Sequence, residues 1–160
     1  MKSRTYHLTE TTTATPAEIV AAITDFGPGR QEIFGNSADE FLEVHELGAD
    51  SADVTEGTGK NGNAVTWERL RYDWSDPSRV TMKVVDSNVW SSASKHTYAI
   101  TPQDDGTTRV DVDVVREGKN LKGRVLALVV STIGKGSLAK ALHNTIKAIE
   151  TRDARSLVAA

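Results

Sequence analysis

From Arg124 to Arg152 apolar side chains return at every third or fourth position, and a helix with so long an apolar face must be given a surface to cover it. With the preceding turn included, the set is Leu121, Val125, Leu128, Val129, Thr132, Ile133, Leu138, Leu142, Ile146 and Ile149. Before Gly123 the apolar period is two, so the only partner large enough is the sheet that those strands form. A single helix laid over a curved sheet leaves a space between them, and that space is where a function is to be sought.

The strand-length runs are Tyr6–Thr13, then 40–47, 52–57, 64–74, 79–86, 95–101 and 108–115. Turn chemistry separates the last six: Gly48-Ala49-Asp50, Asn61-Gly62, Ser75-Asp76-Pro77-Ser78 and Asp104-Asp105-Gly106 among others, links short enough to require an antiparallel meander. After the first strand, Thr15-Pro16-Ala17-Glu18 supplies a capping hydroxyl, a proline at the first helical position and a glutamate that can bond back to the cap. A short helix to about Asp25 follows, and residues 30–34 can form one more turn. Gly134-Lys135-Gly136 should kink the long helix, since glycine costs about 1 kcal/mol against alanine there. The whole reads as one domain over residues 1–160, with no internal repeat or linker.

Alternation assigns the faces. Val110, Val112 and Val114 point one way and Arg109, Asp111 and Asp113 the other. The same logic turns His96, Tyr98 and Ile100 inward, with Val80, Met82 and Val84. Leu70, Tyr72 and Trp74 share a phase that carries Glu68 and Thr66 inward, unless a bulge near Trp67 reverses it. An inward Glu68 needs a partner, with Arg69, Arg71 or His96 the nearest in sequence.

Composition excludes several classes. There is no cysteine, hence no disulfide, thiolate metal site or cysteine nucleophile. The four histidines show no metal-ligand spacing, and neither metal nor cofactor is expected. Gly57-Thr58-Gly59-Lys60-Asn61-Gly62 has the glycine spacing of a dinucleotide loop, but a strand follows it where that loop needs a helix. The most apolar stretch, 125–133, is about half the length of a membrane span, and the N-terminal residues lack a leader's apolar core, so a cytoplasmic location is expected. The net charge of −3 conceals a basic segment: residues 116–155 hold nine Lys/Arg against three Asp/Glu, +6, leaving −9 elsewhere. That division reads as complementarity between helix and sheet, or as weak attraction to an anionic membrane surface. Nucleic acid is disfavoured, because basic and aromatic residues are not interleaved.

The Ala14-Thr15-Pro16-Ala17-Glu18-Ile19-Val20 entry into a helix with Asp25-Phe26, the Thr66-Trp67-Glu68-Arg69 and Tyr72-Asp73-Trp74-Ser75 strand, the Thr101-Pro102 to Gly106-Thr107-Thr108-Arg109-Val110 hairpin, and the Leu138-Ala139-Lys140-Ala141-Leu142 to Ile149-Glu150 helix resemble the START-like superfamily. More narrowly, the chain resembles its bacterial polyketide cyclase/dehydrase (SRPBCC) branch. The resemblance implies an α+β helix-grip fold: a curved seven-stranded antiparallel sheet around a long C-terminal helix, with two short helices after the first strand. It also implies a hydrophobic cavity for a lipid, sterol or polyketide-like molecule.

Binding of an apolar small molecule is therefore the expected function, by a monomer or homodimer. The expected contacts are Tyr72, Trp74, Met82, Val84, Trp90, Tyr98, Ile100, Val112, Val125, Leu128, Val129 and Leu142, with residues 125–133 gating access. The alternative is a cyclase- or dehydrase-like enzyme in which His96 or Glu68 removes a proton alpha to a carbonyl and Tyr72 or Tyr98 stabilises the enolate. A third reading is a non-enzymatic stress or membrane-surface protein.

Overall fold

The computed structural model describes residues 3–158; in the last helix the side chains at 133, 135, 153, 154 and 156–158 lie outside the description, as do Met1 and Lys2. Ile133 of the apolar stripe and Lys135 and Asp153 of the charge count are thus not placed. The elements are β1 (Arg4–Thr12), α1 (Pro16–Ile23), α2 (Arg30–Ile33), a 3-10 turn (Asp39–Phe41), β2 (Glu43–Leu47), β3 (Ser51–Lys60), β4 (Asn63–Asp73), β5 (Arg79–Ser87), β6 (Lys95–Pro102), β7 (Thr108–Arg116) and α3 (Leu121–Val158).

Thr15 caps α1 as its sequence requires, its hydroxyl accepting from the Glu18 N–H while the Glu18 carboxylate accepts from the Thr15 N–H at 2.7 Å. Asn61 and Gly62 both take positive φ, 54° and 73°, so β3 and β4 are joined by the two-residue turn that matches strand twist. The glycine-spaced stretch is accordingly hairpin, with no helix after it.

All seven strands pair antiparallel in one sheet, in the order β1-β7-β6-β5-β4-β3-β2. Consecutive strands are neighbours except β1, which pairs β7 beyond the meander. Three bulges bend the sheet, the first with His45 as the extra residue between Val44↔Val54 and Glu46↔Asp53. Val65 is the extra residue between Thr58↔Thr66 and Gly59↔Ala64, and Val85 the extra one between Arg69↔Asp86 and Leu70↔Val84. The bulge in β4 falls before Thr66, so the phase from Thr66 to Tyr72 is preserved. Glu68 faces inward, while Arg69 and Arg71 lie on the outer face and clamp Asp53.

The strand expected over 40–47 begins only at Glu43. Asp39 explains the difference: its carboxylate accepts the N–H groups of Gly29 and Gln31 at 2.8 and 3.2 Å, pinning the segment to the start of α2. The chain then turns through Asp39–Phe41 before it extends.

α3 turns through 84° between Leu121–Thr132 and Gly136–Arg152, at the glycines whose low helix propensity predicts a kink. The distal arm is the part the sheet grips: Leu142, Ile146 and Ile149 are buried and Leu138 packs beside them. Four polar ties fix it, from Thr145 to the Ile33 carbonyl (2.9 Å), from Glu150 to Thr12 (2.8 Å), from Arg152 to Asp25 (2.6 Å) and from His143 to Glu10 (3.3 Å). This is the helix-grip arrangement that the resemblance implies.

The proximal arm differs from expectation. Leu126 and Ala127 pack against the core, whereas Val125, Leu128 and Val129 are exposed by 53%, 54% and 45%. Among the described residues no single helix is long and apolar enough to cross a membrane.

Candidate functional site

Between the concave face of the sheet and the distal arm lies a cavity of about 720 Å³. Its walls are Leu8, Leu70, Met82, Val112 and Val114, and Leu138, Ala141 and Leu142 roof it from α3. Its rim is made by Gly35 and Asn36 after α2 and by Thr58 and Thr66 at the far end of the β3–β4 hairpin.

Two ion pairs are set into this apolar wall. At one pole Arg30, the first residue of α2, is 2% exposed. Its Nε donates to Glu56, one terminal nitrogen donates to the carbonyls of Ile23 (3.0 Å) and Asp25 (2.7 Å), and the other donates to the Tyr72 hydroxyl (2.8 Å). Tyr72 passes a hydrogen bond on to Glu56 at 3.1 Å. The rings of Phe26, Phe34 and Tyr72 stand 4.5–5.5 Å from the guanidinium carbon. The buried cation thus faces acceptors and aromatic rings on every side, which is the condition for burying a charge at tolerable cost. Burial in turn pushes the Tyr72 phenol well above its usual range, so it stays a donor.

At the other pole Arg116 grips Glu68 with two parallel bonds of 2.7 and 3.1 Å, and both side chains are nearly buried. Behind it the Trp90 ring lies 4.9 Å from the guanidinium carbon. Next to this pair is His96, whose Nε2 is buried without a hydrogen-bond partner among the described residues. Burial, and after it the Arg116 cation, holds the imidazole well below its ordinary range, so it is neutral at pH 7. Tyr98, two residues on and facing the same way, has its phenol pushed up to about 12 by burial. Neither ion pair therefore offers an uncompensated charge to the cavity, while His96 and Tyr98 present neutral polar groups.

Of the residues expected at the site, Glu68, Tyr72, Met82, His96, Tyr98, Val112 and Leu142 line the cavity. Val84 and Ile100 face inward but are enclosed in packed core, each 1% exposed. Trp74 lies past the end of β4, its Nε1 donating to the Ala49 carbonyl over the β2–β3 turn. Trp90 backs Arg116 instead of touching the cavity. Val125, Leu128 and Val129 point away from it, because the buried face of their arm is the one carrying Gly123, Leu126 and Ala127. The partner of Glu68 is Arg116, not Arg69, Arg71 or His96.

Arg30, Glu56 and Arg116 are site residues that the sequence reading misses. Arg116 continues the inward phase of Val110, Val112 and Val114, and Glu56 that of Ala52 and Val54, so extending the alternation one step finds both. Arg30 carries no such signal.

No curated protein matches the chain. Among solved structures, TTHA0849 of Thermus thermophilus superposes with a TM-score of 0.71 at 14% identity, over 93% of this chain and 99% of that one. The Zhui aromatase/cyclase of Streptomyces sp. R1128 gives 0.72 at 14%, over 94% and 96%. A START superfamily protein of Mycobacterium smegmatis gives 0.63 at 13%, over 92% and 95%. At such identities these likenesses speak for the fold alone. The sequence pattern of the polyketide cyclase/dehydrase and lipid transport family, an SRPBCC family, matches residues 4–150, nearly the whole of a 160-residue chain, and the chain belongs to it.

Proposed function

We propose that the protein binds an apolar, uncharged small molecule carrying oxygen functions, lipid, sterol or polyketide-like in character, between the sheet and the distal arm of α3. The observation that carries this reading is the cavity of about 720 Å³ whose wall sets each buried arginine against a glutamate, Arg30 on Glu56 and Arg116 on Glu68, while the one further carboxylate of the lining, Glu32, lies exposed. Its size lies within the range of small-molecule pockets. Apolar contact would provide most of the affinity, at roughly 25 cal/mol per Å² buried. A free carboxylate or phosphate would find no unpaired cation there, whereas a hydroxyl or carbonyl has His96 Nε2 and the Tyr98 hydroxyl to meet. The family's breadth, from polyketide chemistry to lipid transport, is consistent with such a ligand. Native mass spectrometry of gently purified protein tests it: a retained passenger of neutral, apolar mass supports the reading, and a uniformly ligand-free or phosphate-bearing protein counts against it.

A second reading, cofactor-independent cyclisation or dehydration, is favoured by one observation, the unpartnered neutral imidazole of His96 beside Tyr98. His96 would remove a proton alpha to a carbonyl and Tyr98 would donate to the enolate oxygen. Glu68 is less suited to the base's part, since Arg116 holds both its oxygens, and Tyr72 already donates to Glu56. A His96→Gln protein that keeps ligand affinity but loses turnover on a poly-β-ketone would support it; unchanged turnover would remove it.

A further inference from the structure

The proximal arm of α3 carries an apolar stripe on the wrong side for a core. Leu121, Val125, Leu128 and Thr132 follow one another at spacings of three and four, and Leu121 is 76% exposed, more than any other large apolar side chain described. Val129 adjoins them. The stripe is not a loose end that could roll inward. The N–H of Lys119 donates to the Val89 carbonyl at 2.8 Å and Asn120 to the Asn88 carbonyl at 2.8 Å. Gly123 sits so close to Val89 that any Cβ there would collide with its carbonyl oxygen. These contacts clamp the arm with its apolar face outward.

Charge decides what that face meets. At 100° per residue Lys122 and Arg124 fall on opposite shoulders of the stripe. The sequence holds no Asp or Glu from 118 to 149. The expected neutralisation of this basic segment by the sheet is partial: Arg116 and Lys119 pair with Glu68 and Asp86 of the sheet and Arg152 with Asp25 after α1, but among the described residues Arg124 and Lys140 make no ion pair, and Lys122 spends its ammonium on the Val65 carbonyl at 2.6 Å. A second copy of the chain, docked symmetrically on the stripe, would bring these cations against each other. An anionic bilayer would instead take the leucines and valines at its acyl boundary while the long basic stems reach its phosphates.

From this juxtaposition of an outward apolar stripe and unneutralised basic shoulders, we infer that residues 121–132 form an in-plane docking helix for anionic lipid surfaces. The 84° turn lets this arm lie flat while the sheet keeps hold of the distal arm. The docked face also adjoins the cavity rim: Lys122 bonds Val65, and its neighbour Thr66 lines the cavity. That last link, by which an apolar ligand would pass between bilayer and cavity without crossing water, rests on the proposed binding function; the docking does not.

Co-sedimentation of the full chain with phosphatidylcholine vesicles, with and without a quarter phosphatidylglycerol, tests the inference. The expected result is binding to the anionic vesicles, weakened at high salt, and lowered about tenfold or more by the pair Val125→Glu and Leu128→Glu. Arg124→Glu alone should weaken it several-fold. Binding of an apolar fluorophore without vesicles should be unchanged in these variants, which reports folding and keeps the cavity reading separate. Absence of vesicle binding, equal binding to neutral vesicles, or indifference to the glutamate pair would overturn the inference. So would a concentration-dependent dimer that the glutamate pair dissolves, since a second copy would then be the occupant.

Discussion

Glu56 and Glu68 stand directly opposite each other on β3 and β4, both facing the cavity, and each is neutralised by a different arginine, Arg30 from α2 and Arg116 from the end of β7. Like charges in that cross-strand relation repel, and here they do so in a largely apolar wall. The two arginines arrive from distant parts of the chain, so the neutralisation of both glutamates is a product of the completed fold.

Breaking one pair should therefore cost far more than removing it. Arg116→Met leaves Glu68 as an uncompensated charge and should destabilise by about 3–5 kcal/mol, whereas the double change Arg116→Met with Glu68→Leu should recover most of that loss. Urea denaturation of the single and double variants checks this. A double variant no more stable than the single would show that Arg116 acts through Trp90 alone.

Tyr72→Phe removes one hydrogen bond to Arg30 and one to Glu56 while keeping the ring that lies edge-on to Phe26 at 5.0 Å. Loss of about 1–3 kcal/mol is expected from the polar groups left short of a partner. Because the Tyr72 hydroxyl is engaged with the ion pair, ligand affinity should change less than in Tyr98→Phe, as probe displacement would reveal.

His96 gives stability a specific pH dependence. Its folded imidazole is held well below its ordinary range, so in mild acid the unfolded chain binds the extra proton first. Stability should be flat above about pH 6.5 and fall below it, with a slope of about 1.4 kcal/mol per pH unit from this group. Chemical denaturation at about pH 7.5, 6 and 5 measures the slope, and His96→Gln should flatten it. An unchanged slope in that variant would mean the imidazole is not buried neutral.

Gly123→Ala places a Cβ on the Val89 carbonyl oxygen. Overpacking at a backbone contact costs about 1–3 kcal/mol, and here the arm, not the sheet, should give way. Hydrogen exchange should accelerate in residues 119–132 while the distal arm stays protected. Uniform loss of protection would show instead that the two arms unfold together.

The fold is legible where local chemistry and period agree. Thr15 to Glu18 spells a capping box, Asn61-Gly62 a tight hairpin, and the alternation of 110–114 one dry face; each holds. The kink at Gly134 to Gly136 is visible too, because glycine's propensity needs no tertiary knowledge. The facing of the proximal arm is not. Period shows that Val125 and Leu128 share a helix face, but only the close approach of Gly123 to Val89 decides that this face looks outward. Aromatic character assigns Trp74 and Trp90 to the cavity, yet it says nothing about where a strand ends or what a ring stacks on. Arg30 is hidden for a related reason: its acceptors come from α1, β3 and β4, brought together only by the finished fold.

The engagement of the cavity's arginines by their own glutamates is most directly tested by a matched pair of ligands. Hexadecanol and palmitate share a chain length and differ in charge, and each can displace a fluorescent diphenylhexatriene probe from the purified protein at neutral pH. Displacement by hexadecanol at least about tenfold tighter than by palmitate is the expected result, because the carboxylate would enter a site whose arginines are already paired. Equal or tighter binding of palmitate would contradict it and would mean that Arg30 or Arg116 releases its glutamate to take the ligand.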